Sequence, residues 1–113
     1  MGASPNPARF SFIATEMLKE YGHEVVLYGR RKGDINGTEI RNETPSDETF
    51  DTVTLYLNPL NQEGYMDYIT QLKPKRVIFN PATENPEFEH QLKENGIEAV
   101  EACTLVMLRT GQF

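Results

Sequence analysis

The residues best suited to chemistry fall at three places in the chain. Gly2-Ala3-Ser4-Pro5-Asn6-Pro7 stands ahead of a helical pattern. Glycine lets a backbone approach a phosphate closely, Ser4 offers a hydroxyl, and a helix start supplies unpaired N–H groups in a positive field. A capped helix start without a ligand uses the same residue types, and G-x-G-x-x-G is absent, so the motif alone leaves both readings open. Arg30-Arg31-Lys32 is the only run of three consecutive cations in a chain of net charge −6. Arg9 adds a further cation at the helix start. Asn58-Pro59 and Asn80-Pro81 repeat one dipeptide at two strand ends, either as strand terminators or as contacts to a ligand.

Catalytic constellations are thin. Cys103 is the only cysteine and so the only candidate thiol nucleophile. Such a group needs a base and an orienting partner, yet the pattern places His23 and His90 on outer segments, so Cys103 reads as a partly buried structural thiol. Glu84 is a lone acid near the same strand ends. There is no zinc-ligand spacing, Ser-His-Asp set or P-loop pattern. The expectation is therefore no catalytic residue and no metal site.

These groups need elements to position them. Residues 9–21 read as an amphipathic helix with Phe10, Ile13, Ala14, Met17 and Tyr21 inward and Thr15, Glu16, Lys19 and Glu20 outward. Gly22 stops it, and residues 23–28 read as a buried strand bounded by Gly29. Residues 29–51 turn polar and lose periodicity, as a long functional or mobile connection does. Within them Asn36-Gly37 is a turn signal, and residues 38–40 could add a short edge strand. Residues 52–57 form the clearest strand, followed by a helix carrying Tyr65, Tyr68, Ile69 and Leu72 on one face. Residues 76–79 are the next strand. Asn85 and Pro86 then start a helix as N-cap and first residue, and Gly96 ends it. Residues 97–100 make a last strand, and residues 104–109 a compact apolar turn or helix.

Strands alternating with helices predict an α/β fold with a mostly parallel, open sheet, and such sheets bind ligands beyond the carboxyl ends of their strands. Ser4, Arg30, Asn58, Asn80 and Cys103 all follow a strand end or the place where one belongs, so one rim is expected to gather them. In an NAD-binding domain the second strand normally ends in an acid for the ribose hydroxyls. Here Tyr28-Gly29-Arg30 has none. Arginine at that place favours an extra ribose phosphate, as in NADP or coenzyme A.

The 113 residues suit one domain, residues 1–113, and 38% hydrophobic with 25% charged residues is ordinary globular composition. No apolar run approaches a membrane span, no secretory pattern opens the sequence, and a single cysteine excludes an internal disulfide. A cytoplasmic protein is the expectation. The negative charge argues against nucleic acid and points to a small-molecule nucleotide ligand held by a local cationic patch.

The combination resembles a known family. Gly-Ala-Ser-Pro-Asn-Pro at 2–7, His-Glu-Val-Val-Leu-Tyr-Gly-Arg-Arg-Lys-Gly-Asp-Ile-Asn-Gly at 23–37, the strands at 52–57 and 76–80, and Glu-Ala-Cys-Thr at 101–104 look like the small stand-alone coenzyme A-binding domain proteins. These are similar to the coenzyme A-binding domain of the succinyl-CoA synthetase α subunit. The resemblance implies a Rossmann-like, three-layer fold with coenzyme A phosphates on Gly2, Ala3 and Ser4, and Arg30 and Arg31 near the adenosine end; from the residues themselves, Pro5 of the same loop and Arg9 at the helix start are further candidate contacts to the ligand. It implies no catalytic residues. Two departures stand out. Gly29-Arg30 replaces the family's frequent Asn-Pro-Arg, and only Met1 precedes Gly2, where the family has an apolar central strand. A truncated or misassigned start accounts for that second departure, and a homo-oligomer that supplies the missing pairing is the other explanation. Non-catalytic binding of coenzyme A or an acyl-CoA is thus expected. The rivals are an NADP-dependent or acyl-transfer enzyme using Cys103, and a regulatory or scaffold domain that has lost its ligand.

Overall fold

The structure, a computed structural model, describes residues 1–44 and 48–113. Residues 45–47, inside the expected long connection, lie outside the described residues. In chain order the elements are α1 (Phe10–Glu20), β1 (Leu27–Tyr28), β2 (Asp34–Ile35), β3 (Thr38–Arg41), β4 (Thr52–Leu55), α2 (Pro59–Gln62), a 3-10 turn (Glu63–Tyr65), α3 (Met66–Leu72), β5 (Arg76–Phe79), α4 (Pro86–Glu94), β6 (Glu98–Glu101) and α5 (Thr104–Arg109). They form two compact units: residues 1–44 with 104–113, and residues 45–103.

In the first unit the amphipathic helix is present, but its buried face differs from the expected one. Ser11, Ala14, Thr15 and Leu18 are buried, whereas Phe10 is 69% and Tyr21 52% exposed. Spacing of apolar residues alone misses this because Thr15 hides its polarity. Its hydroxyl donates to the Ser11 carbonyl at 2.8 Å, one turn back, and needs no water. α5 packs on α1 and buries Thr104, Leu105, Met107 and Leu108.

Within the polar stretch after Gly29, residues 34–41 form a hairpin rather than an open loop. Asn36 and Gly37 both take positive φ, 48° and 86°, the signature of a tight hairpin turn between β2 and β3. The Gly37 amide donates to Asp34 Oδ2 at 3.1 Å and fixes the turn. β3 lies inside its sheet, not at an edge: the order is β1-β3-β2, parallel to β1 and antiparallel to β2. Leu27, Ile35 and Ile40 form the buried cluster, with Ala3, Phe12 and Val25 packed on it. Two isoleucines spaced through a polar sequence thus provide a core that no local hydrophobic window reveals. From α1, Lys19 Nζ donates to the carbonyls of Ile35 and Asn36, at 3.3 and 3.0 Å, tying the hairpin down.

The second unit is a β-α-β-α-β run. Its sheet is fully parallel in the order β4-β5-β6, in the registers Thr52–Arg76–Glu98 and Leu55–Phe79–Glu101. α3 and α4 touch each other, as two crossovers of one hand on one face require. Val77, Ile78 and Phe79 are all fully buried, the near-continuous apolar run that a central parallel strand carries. Phe79 meets Phe88 of α4 edge-on with ring centres 5.5 Å apart. Asn85 caps α4 through Oδ1, which accepts from the Phe88 amide, and Pro86 follows at the first helical position. The expected α/β class with a parallel sheet is therefore observed. No described helix is long and apolar enough to cross a membrane.

Candidate functional site

In the first unit the loop ahead of α1 is built by short-range turns. Ser4 Oγ accepts from the Asn6 amide at 3.2 Å, and Asn6 Oδ1 accepts from the Ala8 amide at 3.0 Å. Gly2 takes φ 90°, a conformation that favours glycine. The amides of Gly2 and Ala3 both donate to the Tyr28 carbonyl, at 2.9 and 2.8 Å. Those two groups therefore anchor the loop to the end of β1 and are not presented outward. Donors toward an anion come from further along. Ser4 retains its hydroxyl proton, and at the first turn of α1 the Phe10 and Ser11 amides have no protein acceptor among the described residues.

The charge at this helix start is the reverse of what helix stability alone favours. Arg9 occupies the N-cap position without a side-chain cap bond, and the first turn holds no acid. A cation beside the positive end of the dipole is unfavourable by a few tenths of a kcal/mol unless an anion offsets it.

The basic cluster lies against this loop. A β-carbon on Gly29 would fall onto the Ala3 carbonyl oxygen, and one on Gly33 would stand 2.9 Å from the Pro5 side chain. The loop that carries Arg30, Arg31 and Lys32 is thus pressed onto Ala3 at one end and Pro5 at the other. All three cations are exposed. The Gly29 amide donates to the Arg41 carbonyl at 3.0 Å, and the Ile40 amide to the Gly33 carbonyl at 2.9 Å, which closes the loop against β3. The close approach explains why glycine stands at position 29.

In the second unit Asn58 and Asn80 follow β4 and β5, as expected, but their side chains are committed to the protein. Asn58 Oδ1 accepts from the Asn61 amide at 2.9 Å as the N-cap of α2, with Pro59 at the first helical position. Asn80 is buried, and its Nδ2 donates to Thr54 Oγ1 and to the Leu55 carbonyl, at 2.7 and 2.8 Å, binding β5 to β4. Pro81 and Ala82 turn the chain next. The Thr83 amide and hydroxyl both reach the Asn80 carbonyl, at 2.9 and 2.7 Å, and Ala82 sits at φ 74°, a strained value for a residue with a β-carbon.

Sequence reading missed Gln62. It is fully buried, and its Nε2 donates to the carbonyls of Leu57 and Thr83, both at 2.8 Å, while Asn85 Nδ2 donates to its Oε1 at 3.1 Å. One amide therefore laces together the segments that follow β4 and β5. Nothing in the local sequence separates this glutamine from an ordinary exposed one.

Cys103 is half-buried and free between β6 and α5. The two histidines are engaged elsewhere: His23 packs edge-on against Phe113, and His90 Nε2 lies 2.6 Å from Glu94 Oε1 across one turn of α4. Glu84 is exposed. Among the described residues no group of three or more potential metal ligands is found.

Comparison with known proteins gives these geometries a context. The sequence pattern of the family described as "CoA binding domain" matches residues 1–109. A crystal structure of an uncharacterized protein superposes with a TM-score of 0.97 at 56% identity, over 99% of this chain and 93% of that one. The cell-free ID.343 structure from Thermus thermophilus follows with a TM-score of 0.87 at 25% identity, covering 100% and 87%. A hypothetical protein from Pyrococcus horikoshii OT3 shares the fold, with a TM-score of 0.87 at 23% identity over 96% and 78%. No curated protein matches.

Proposed function

The chain belongs to the CoA binding domain family, and we propose that it binds coenzyme A or an acyl-CoA, without catalysis, at the loop of its first unit. The observation that carries this reading is the packing of Gly29 against Ala3 and of Gly33 against Pro5. It sets the Arg30–Lys32 cluster beside the Gly2–Ser4 loop in a protein whose overall charge repels phosphates. In this reading Gly2 and Ala3 shape the loop through their bonds to Tyr28. The Ser4 hydroxyl, the first amides of α1 and Arg9 meet the diphosphate, Pro5 seats the cationic loop, and Arg30 and Arg31 meet the phosphorylated ribose. Binding rather than chemistry is favoured because both histidines already have other partners, His23 the Phe113 ring and His90 the Glu94 carboxylate. In the second unit Asn58-Pro59 and Asn80-Pro81 act as terminators that shape the ends of β4 and β5, since their side chains bond within the protein.

Thermal shift with coenzyme A, NADP and NAD side by side tests the reading. Coenzyme A at about one hundred times its dissociation constant is expected to stabilise the protein by about 2.7 kcal/mol. NADP and NAD are expected to give smaller shifts, and the Arg30→Ala/Arg31→Ala variant is expected to lose most of the coenzyme A effect. Absence of any shift with saturating coenzyme A refutes the proposal.

A further inference from the structure

We infer that the outward side of α1 is a self-association surface, on which a second copy of this chain packs its own α1 antiparallel across a two-fold axis. The inference goes beyond the binding reading above, does not rest on it, and concerns the first unit alone.

Its basis is the stripe that α1 leaves outside. Phe10 and Tyr21 are largely exposed at the two ends of the helix, and Ile13 and Met17 between them are half-buried. Phe10 and Tyr21 stand eleven residues apart in the chain. That is about three helical turns, so both aromatic side chains leave the same side of the helix. Ile13 and Met17 continue the stripe at helical spacing. The side that α1 buries is a different one, with Ser11, Ala14, Thr15 and Leu18. α5 packs on α1 and still leaves both aromatic residues bare. Single exposed apolar residues are ordinary, whereas a continuous stripe with an aromatic at each end marks a contact surface.

Charge selects the occupant. Arg9 and Glu20 are also eleven residues apart, and helical spacing sets both along one flank of the stripe. Both are exposed, and neither has an ion-pair partner among the described residues. A two-fold axis across two antiparallel copies sets the start of one helix against the end of the other. Arg9 then meets Glu20 of the second copy, and Phe10 meets its Tyr21, each pair occurring twice. A parallel pair would set Arg9 against Arg9 and Glu20 against Glu20. Within one chain each charge stands at the end of the helix dipole that disfavours it, and the opposite charge from the second copy offsets this. Glu16, the other acid of α1, is turned to the hairpin, where its Oε2 accepts from Asn36 Nδ2 at 3.2 Å. α1 is roughly 16 Å long, so such a pair buries less than the ~1,200 Å² of a standard interface, and the dimer is a weak one.

The experiment is sedimentation equilibrium of the whole chain from about 5 µM to about 1 mM. It is run without ligand, because Arg9 also belongs to the proposed diphosphate site. The mass is expected to rise from 12.9 kDa toward twice that value, with half-association on the order of 100 µM. Arg9→Glu and Glu20→Arg should each weaken association about tenfold, and the double reversal Arg9→Glu/Glu20→Arg should restore it. Phe10→Lys should weaken it about tenfold or more. Arg9→Glu places an acid at the helix start, which favours the helix, so loss of the dimer in that variant is not loss of the fold. A mass that stays at 12.9 kDa throughout overturns the inference. So does association that Phe10→Lys leaves unchanged, since another surface then makes the contact. Single reversals without effect, or a loss that the double reversal does not recover, overturn the antiparallel pairing. Coenzyme A binding is read by its own titration and stands or falls separately.

Discussion

Replacing Gly29 with alanine should damage stability and ligand binding together, because one contact serves both. The new β-carbon would fall onto the Ala3 carbonyl oxygen and would stand 3.2 Å from Ile40 Cγ2. The neighbour at Ala3 is backbone, so it cannot swing aside as a flexible side chain would. Either the Gly2–Ser4 loop moves off β1 or β1 moves off β3. Overpacking of this kind costs about 1–3 kcal/mol. Displacing the loop also removes the Gly2 and Ala3 bonds to Tyr28, each contributing about 1 kcal/mol. We expect a loss of about 3 kcal/mol in urea unfolding, a fall of roughly 10 °C or more in Tm, and loss of the coenzyme A-dependent shift. Gly64→Ala is the matched control, since nothing lies within 4 Å of its added β-carbon. That change should be neutral, or stabilising by up to about 1 kcal/mol through the unfolded chain. The reasoning fails if Gly29→Ala unfolds within about 0.5 kcal/mol of wild type while keeping the coenzyme A shift.

Two further changes probe the second unit. Gln62→Leu should cost about 3 kcal/mol in urea unfolding, because it leaves the Leu57 and Thr83 carbonyls and the Asn85 amide without their buried partner; a loss below about 1 kcal/mol would show that this lacing carries no weight. Glu89 titrates above its ordinary range, first through burial and then through its hydrogen bond to Glu101 and that residue's charge, and its Oε2 is buried without a partner among the described residues. A carboxyl whose folded pKa is raised favours the native state fully only below its unfolded value, near 4.3, and that support is lost as the pH rises through the folded value. Glu89→Gln should therefore flatten the decline in urea midpoint from about pH 4 upward and leave the protein no less stable at neutral pH. Parallel pH profiles for the variant and wild type would contradict the assignment.

Much of the second unit is legible locally. Asn85-Pro86 marks the start of α4, Asn58-Pro59 that of α2, and three apolar runs mark a parallel sheet, because capping and strand preference act between near neighbours. In the first unit the candidate residues were also visible, from Gly2 to Ser4 and from Arg30 to Lys32. Their arrangement was not. The inward face of α1 depended on a threonine that satisfies itself within the helix, and residues 34–41 of the expected long loop form a hairpin around Ile35 and Ile40.

Sequence by itself determined the class of this protein: an α/β chain of the CoA binding domain family, with a glycine loop, a basic cluster and no evident catalytic set. Tertiary structure alone decided that Gly29 and Gly33 press the cationic loop onto Ala3 and Pro5, that Gly2 and Ala3 spend their amides on Tyr28, and that α1 leaves Phe10 and Tyr21 outside. The division has a physical origin. Propensity, capping and charge are properties of neighbouring residues, whereas strand register and close backbone approach join residues far apart in the chain and exist only once it has folded.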